Sequence, residues 1–241
     1  KCSEATIEWF HSYLTKRKQL VSINNIVSSD QEITCGVPQG SILGPLLFLV
    51  FINDLPLLLS DTITSVDLFA DDTTLYDINK NKSNLERILN ASLKILEKWC
   101  SHNGMQLNTD KTKVMLITTR QKCANLDTSS SLSLKYKDIQ LQVSSGEKLL
   151  GINLDNNLKW DSHVRIVTKK MSSYLWLLSK ISIYLTNEYK LLYYKAYIMP
   201  HLNYCSIIWG NTTVQNKKKI DRLQKRACKI ILGTNYTDFE T

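Results

Sequence analysis

Two adjacent aspartates, Asp71 and Asp72, carry the sharpest chemical signal in this chain of 241 residues. They fall between two β-rich apolar runs, 62–69 and 73–78, separated only by Ala70-Asp71-Asp72, the pattern of a tight hairpin. Strand alternation sends neighbours to opposite faces, but a turn lets two carboxylates reach one site. Two like charges held together are costly unless a cation shares them, and Mg²⁺ favours carboxylate oxygen together with substrate phosphates. The pair is therefore a candidate divalent-metal site for phosphoryl transfer. On these residues alone, an ordinary acidic turn competes with that reading.

A second signal is basic. Lys217, Lys218, Lys219, Arg222, Lys225, Arg226 and Lys229 share the stretch 217–229 with a single acid, Asp221. On a helix, 218, 222, 225, 226 and 229 fall on one face, which suits a phosphate backbone. Lys218, Arg222, Lys225 and Arg226 are the candidate nucleic-acid contacts, against the plain alternative of a solvated charged face. Charge is uneven along the whole chain: residues 1–120 hold 12 basic and 13 acidic residues, and 121–241 hold 18 and 9. The excess of cations in the second half points to an anionic partner. Composition is that of a globular protein, which excludes disordered and collagen-like classes.

Other chemistries find little support. Six cysteines (Cys2, Cys35, Cys100, Cys123, Cys205, Cys228) form no C-x-x-C pair, and His102, His163 and His201 are isolated. Reduced, mostly buried thiols are expected, hence an intracellular protein of nucleus or cytoplasm with no visible targeting signal. The apolar stretch 42–59 is interrupted by Pro45, Asn53, Asp54 and Pro56 and is too short to span a bilayer, so a buried helix is expected there and no membrane.

The elements that must position these residues read as follows. Ser3 should cap a helix carrying Ile7, Phe10 and Tyr13/Leu14 on one face. Residues 19–27 alternate like a strand, to be paired by 32–35. A loop at 36–41 with glycine near both ends leads into the apolar helix. Ser83-x-x-Glu86 predicts a capping box for a long helix ending near Gly104. Short strands and a Ser-rich loop (128–133) fill 114–154. The spacing of Trp160, Val164, Val167, Met171, Tyr174, Leu178 and Ile181 then predicts a one-striped helix. Helices are expected over 187–208, kinked by Pro200, and over 214–232. The fold class is α+β up to about residue 154 and all-helical beyond.

Gly36-Val37-Pro38-Gln39-Gly40-Ser41-Ile42-Leu43-Gly44-Pro45, followed after a helix by Phe69-Ala70-Asp71-Asp72, resembles the reverse-transcriptase family. The closer likeness is to polymerases of jockey-like non-LTR retrotransposons. Asn103-Gly104-Met105, Leu107-Asn108 and Lys111-Thr112-Lys113 are similar to the motif after the catalytic hairpin, and Leu149-Leu150-Gly151-Ile152 to the primer grip. Trp9-Phe10-x-x-Tyr13-Leu14, Arg17-x-Gln19, Pro200-His201-Leu202-x-Tyr204 and Trp209-Gly210 extend the resemblance along the chain.

The resemblance implies a partial right-hand polymerase, with 1–154 as fingers and palm and 155–241 as a helical thumb-like region. It implies DNA synthesis on an RNA template from a DNA primer and deoxynucleoside triphosphates, with two Mg²⁺ ions, or Mn²⁺, as cofactors. Asp71 would be the main metal ligand and Asp72 a second ligand or electrostatic partner. Lys111 would face the departing pyrophosphate, with Lys113 competing for the role. Gln39 and Gly40 would lie against the nascent base pair and template, and Leu150 and Gly151 would form the turn that holds the primer end. The family also uses a carboxylate from a strand upstream of the 36–41 loop, which Glu4, Glu8, Asp30 and Glu32 do not match. The chain is thus expected to start after that motif and to be inactive alone. The rival reading is a non-catalytic nucleic-acid-binding remnant of a decayed or truncated retroelement. A group II intron-type maturase shares the core but should not resemble 200–210 in this way.

Overall fold

The computed structural model describes residues 3–38, 40–60, 62–119, 121 and 132–233. Helices and strands are mixed, and the described residues fall into two packed units. The first is drawn from 1–107 and 135–138, the second from 108–134 and 139–241. Gln39, Cys2, Cys123 and most of the Ser-rich loop lie outside the described residues.

In the first unit, α1 (Glu4–Leu14) starts on Ser3, whose Oγ accepts the Thr6 N–H at 3.3 Å, as its sequence predicts. Four short strands follow: β1 (Arg17–Gln19), β2 (Ser22–Ile23), β3 (Ile26–Val27) and β4 (Gln31–Ile33). β1 pairs with β4 and β2 with β3, both antiparallel. The alternation over 19–27 therefore does not make one strand. Asn24 and Asn25 take φ of 50° and 65°, and two consecutive left-handed residues fold the chain back on itself.

The apolar stretch forms two helices, α2 (Leu43–Ile52) and α3 (Leu55–Leu59). Pro56 has no N–H to give the Ile52 carbonyl, so the first helix stops and the second begins with proline in its first turn. A buried helix was expected, but in α2 only Gly44 and Ile52 are buried, while Leu46, Leu49 and Val50 are exposed. A helix apolar on every side needs a neighbour on every side, and the described residues cover only the line through Gly44 and Ile52.

β5 (Ser65–Phe69) and β6 (Asp72–Tyr76) form an antiparallel hairpin, and α4 (Lys82–His102) follows. Its cap is Asn81, whose Oδ1 accepts the Ser83 N–H at 2.9 Å, so Ser83 lies inside the helix rather than capping it. Asn81 supplies a stronger start because its carbonyl arm reaches the orphan amide two residues on. Leu85, Leu93, Leu96 and Trp99 of α4 pack in the core with Leu55 and Leu59. Trp99 Nε1 donates to Asp54 Oδ1 at 3.3 Å, and the buried hydroxyls of Thr64 and Ser92 pair at 2.7 Å. Tyr136 is buried in this unit; burial, reinforced by the Cys100 thiol, pushes its phenol up to about 12.

The remaining strands are β7 (Lys113–Val114), β8 (Lys135–Tyr136), β9 (Ile139–Gln140), β10 (Gln142–Val143), β11 (Gly146–Leu149) and β12 (Ile152–Asp155). β8 belongs to the first unit and the others to the second. β7 pairs in parallel with β10, and β11 pairs antiparallel with β12. The Asp155 carboxylate then gathers three backbone amides: Oδ1 accepts from Asn157 at 3.1 Å and Lys159 at 2.9 Å, and Oδ2 from Trp160 at 2.7 Å. This holds Trp160 in a left-handed conformation and launches α5 (Asp161–Ile181). The predicted stripe is the buried one through Val164, Val167 and Met171; Leu175, rather than Tyr174, continues it to Leu178.

The stretch 187–208 is not one kinked helix. It runs as α6 (Asn187–Tyr193), a π-helical segment Tyr194–Ile198, α7 (Met199–Asn203) and α8 (Ser206–Trp209). Pro200 lacks the N–H owed to the preceding turn, and the helix widens immediately before it. α9 (Val214–Leu232) ends at Gly233, left-handed at φ 71°. Ile152, Trp160, Met171, Ile198, Leu202, Trp209 and Ala227 share the core of this unit. Among the described residues no helix is long and apolar enough to cross a membrane. Among the described cysteines Cys100 is buried and Cys205 half-buried, while Cys35, next to the 36–41 loop, and Cys228, on the outer side of α9, are exposed, so the expectation of mostly buried thiols does not hold for them.

Candidate functional site

The aspartates are presented by the β5–β6 hairpin. Phe69 pairs with Asp72, so the turn contains two residues, Ala70 and Asp71, and Asp72 already belongs to β6. The expected three-residue tip is thus shorter. Ala70 makes this possible by adopting φ 51°, a conformation that strains any residue with a Cβ. Both carboxylates are exposed. One or two carboxylates completed by phosphate oxygens and water is a donor set that Mg²⁺ takes, so the pair fits such an ion. Among the described residues, no third His, Cys, Asp or Glu joins them.

Asp71 and Ala70 form one side of a groove of about 630 Å³, whose other walls include Pro38, Gly40, Ser41 and Phe48. Two parts of the chain singled out separately, the 36–41 loop and the hairpin, therefore meet in one concavity. The loop is braced from several directions. Arg17 Nη2 donates to the Gly36 carbonyl at 2.5 Å while its Nε holds the Leu14 carbonyl at 2.8 Å. The Tyr13 hydroxyl bonds Ser41 Oγ, which in turn accepts the Leu43 N–H at 3.1 Å. A Cβ on Gly44 would lie 2.9 Å from the Pro38 carbonyl oxygen, so only glycine lets α2 begin this close to the loop. Gly40 itself is left-handed, at φ 79°.

The other singled-out residues lie in the second unit. Lys111 is exposed in a turn that Asn108 organises, its Oδ1 accepting the Lys111 N–H at 3.1 Å. Lys113 Nζ is engaged by Gln142 Oε1. Leu150 and Gly151 are the two turn residues between β11 and β12, at φ of 44° and 87°. Lys218, Arg222, Lys225 and Arg226 are exposed on α9, opposite the inward line of Asn216, Ile220, Leu223 and Ala227.

A family model described as reverse transcriptase (RNA-dependent DNA polymerase) matches residues 1–154. The chain belongs to the reverse transcriptase family. It is 30% identical over 236 residues to the probable RNA-directed DNA polymerase from transposon BS of Drosophila melanogaster, covering 93% of this chain and 25% of that protein. It is 28% identical over 238 residues to the RNA-directed DNA polymerase from mobile element jockey of the same organism, covering 92% and 24%. The chain thus spans about a quarter of the length of the curated relatives it matches. No solved structure gives a significant match.

In this reverse transcriptase chain the residues that the motifs alone did not mark are the braces. Arg17, Tyr13 and Gly44 were visible as parts of strings, but their contacts with Gly36, Ser41 and Pro38 depend on how α1 and α2 approach the loop. For Gly44 a local signal existed: a glycine inside an otherwise apolar helix marks close backbone approach.

Proposed function

We propose that this reverse transcriptase chain supplies part of the active centre of an RNA-directed DNA polymerase that extends a DNA primer on an RNA template. The observation that carries the reading is the single groove bounded by Asp71, Ala70, Gly40 and Pro38. In this reading 1–154 is the partial fingers and palm, and 155–241 the thumb-like region. Asp71 and Asp72 hold Mg²⁺, or Mn²⁺ in its place. Bound there, the ion supplies Lewis-acid stabilisation of charge on the phosphate oxygens during attack by the primer 3′-hydroxyl. Gly40, with Gln39 beside it, offers bare backbone to the template and incoming base pair. Lys111 offsets charge on the departing pyrophosphate, since the ammonium of the competing Lys113 is engaged by Gln142. The Leu150–Gly151 turn meets the primer end. Lys218, Arg222, Lys225 and Arg226 grip duplex phosphates.

We infer a more limited form of this reading from the family resemblance, in which the chain binds nucleic acid but needs a further carboxylate for turnover. Primer extension on poly(rA)/oligo(dT) with Mg²⁺ and dTTP, alongside fluorescence anisotropy of the same duplex, separates the cases. The expected result is saturable duplex binding without extension, and extension once the polypeptide is lengthened at its N-terminus, abolished there by Asp71→Asn. Absence of duplex binding would overturn the polymerase reading. Extension by the 241-residue chain itself, abolished by Asp71→Asn, would overturn the need for a further carboxylate.

A further inference from the structure

We infer that Tyr204 is a positioning residue for the primer end, acting through the Leu150–Gly151 turn; the inference rests on the reading of that turn as the primer contact. The turn is an unlikely one for its sequence to hold unaided. Leu149 pairs with Ile152, leaving a two-residue connection in which both Leu150 and Gly151 are left-handed. Such turns favour Asn, Asp or Gly in the first position, whereas a leucine there carries the steric cost of its Cβ. The Leu150 side chain is not buried to compensate.

Tyr204 supplies the missing restraint. Its hydroxyl donates to the Leu150 carbonyl oxygen at 2.5 Å. Its ring lies against the next residue: a Cβ on Gly151 would be 3.3 Å from Cε1 and 3.6 Å from Cζ. One side chain thus fixes a carbonyl and closes off one side of the adjacent glycine. Tyr204 is itself tied to the core of the same unit. Its N–H bonds the Pro200 carbonyl at 3.0 Å, and its carbonyl accepts from Trp209 Nε1 at 2.8 Å. Trp209 is buried, and its ring lies 5.3 Å from that of His163. Cys205, at φ 50°, then redirects the chain into α8, which leaves Tyr204 projecting at the break between two short helices.

The outcome is a strained turn whose outer surface is open and whose inner surface is pinned to the helical core. A site that must present a reacting end in one geometry needs this kind of support from a neighbouring shell. The hydroxyl contributes the direction of the Leu150 carbonyl, and the ring contributes the space that Gly151 occupies. Neither contact uses the basic face of α9, so positioning of the primer end and overall duplex affinity are separable.

The test uses the full chain as wild type, Tyr204→Phe and Tyr204→Ala, bound to an RNA/DNA primer–template. 5-Iodo-deoxyuridine is placed either at the primer 3′ end or well inside the duplex, and cross-links are mapped by mass spectrometry. Amide exchange of the 146–155 hairpin is read in parallel. Tyr204→Phe is expected to raise hairpin exchange and lower the terminal cross-link to 146–155 by roughly three- to tenfold, the weight of one neutral hydrogen bond. Tyr204→Ala should do more. Total affinity, set mainly by phosphate contacts, stays within about twofold, and the internal cross-link is unchanged. Unchanged hairpin exchange in both variants would overturn the restraint. Raised exchange with an undiminished terminal cross-link would overturn positioning. A wild-type terminal cross-link that never reaches 146–155 would overturn the primer reading of the turn, and with it the positioning role, while the exchange data would still report the restraint.

Discussion

Replacing Lys218, Arg222, Lys225 and Arg226 together by glutamine should change how duplex binding responds to salt more than it changes the fold. The four side chains are exposed on α9, away from the inward residues Ile220, Leu223 and Ala227, so helix packing is retained. From 218 to 226 the helix rises about 12 Å at 1.5 Å per residue, long enough for the four cations to follow several successive phosphates. Each neutralised phosphate contributes about 0.9 to the slope of log K against log salt, so four contacts set an upper change of about 3.6. At 0.1 M salt the same arithmetic gives about eightfold in affinity per contact, and about 3.6 decades for all four if every contact forms. Anisotropy titrations with an RNA/DNA duplex over a range of KCl concentrations read the slope directly. A matched variant with Lys80, Lys94 and Lys98, exposed lysines of the first unit, changed to glutamine serves as the control. An unchanged slope in the α9 variant, or an equal loss in the control, would refute a phosphate-gripping face and leave a solvated helix.

Three further outcomes concern the supports. Gly44→Ala places a methyl 2.9 Å from the Pro38 carbonyl oxygen, and the forced shift should cost about 1–3 kcal/mol, read as a lower midpoint in urea. Asp155→Ala removes the acceptor for three amides at the start of α5 and should cost about 2–3 kcal/mol by the same measurement. His163 has its pKa lowered by burial, and its Nδ1 accepts the Asn153 N–H at 3.3 Å, which fixes the neutral ring. Because the unfolded chain takes up that proton more readily, stability should fall as pH drops below about 6.5, and thermal melts across pH 5–8 should show a shallower fall in His163→Gln.

Local chemistry was legible where one residue's side chain serves its near neighbours. Ser3 capping α1, the buried stripe through Val164, Val167 and Met171, and the outward cations of α9 all follow from spacing alone. The Asp71–Asp72 hairpin was legible as well, though its tip is one residue shorter because Ala70 accepts a left-handed conformation that no periodicity announces. Asn24-Asn25 carried a readable turn signal that the surrounding alternation obscured. Asn81 captured the start of α4 ahead of Ser83 because its side-chain oxygen reaches the Ser83 amide. The bracing of the 36–41 loop by Arg17 and Tyr13, and of the Leu150–Gly151 turn by Tyr204, has no local pattern at all. Those contacts link residues far apart in sequence, and only the packing of the helices brings them together.

Asp71, which lines the groove, and Asp72 next to it in the hairpin are proposed to hold one divalent ion together. Mn²⁺ binding followed by electron paramagnetic resonance, with primer–template and dTTP present, tests it on the chain itself. A saturable bound population is expected in the wild type and is lost in both Asp71→Asn and Asp72→Asn, with duplex binding retained. Equal Mn²⁺ binding by wild type and both variants would contradict it.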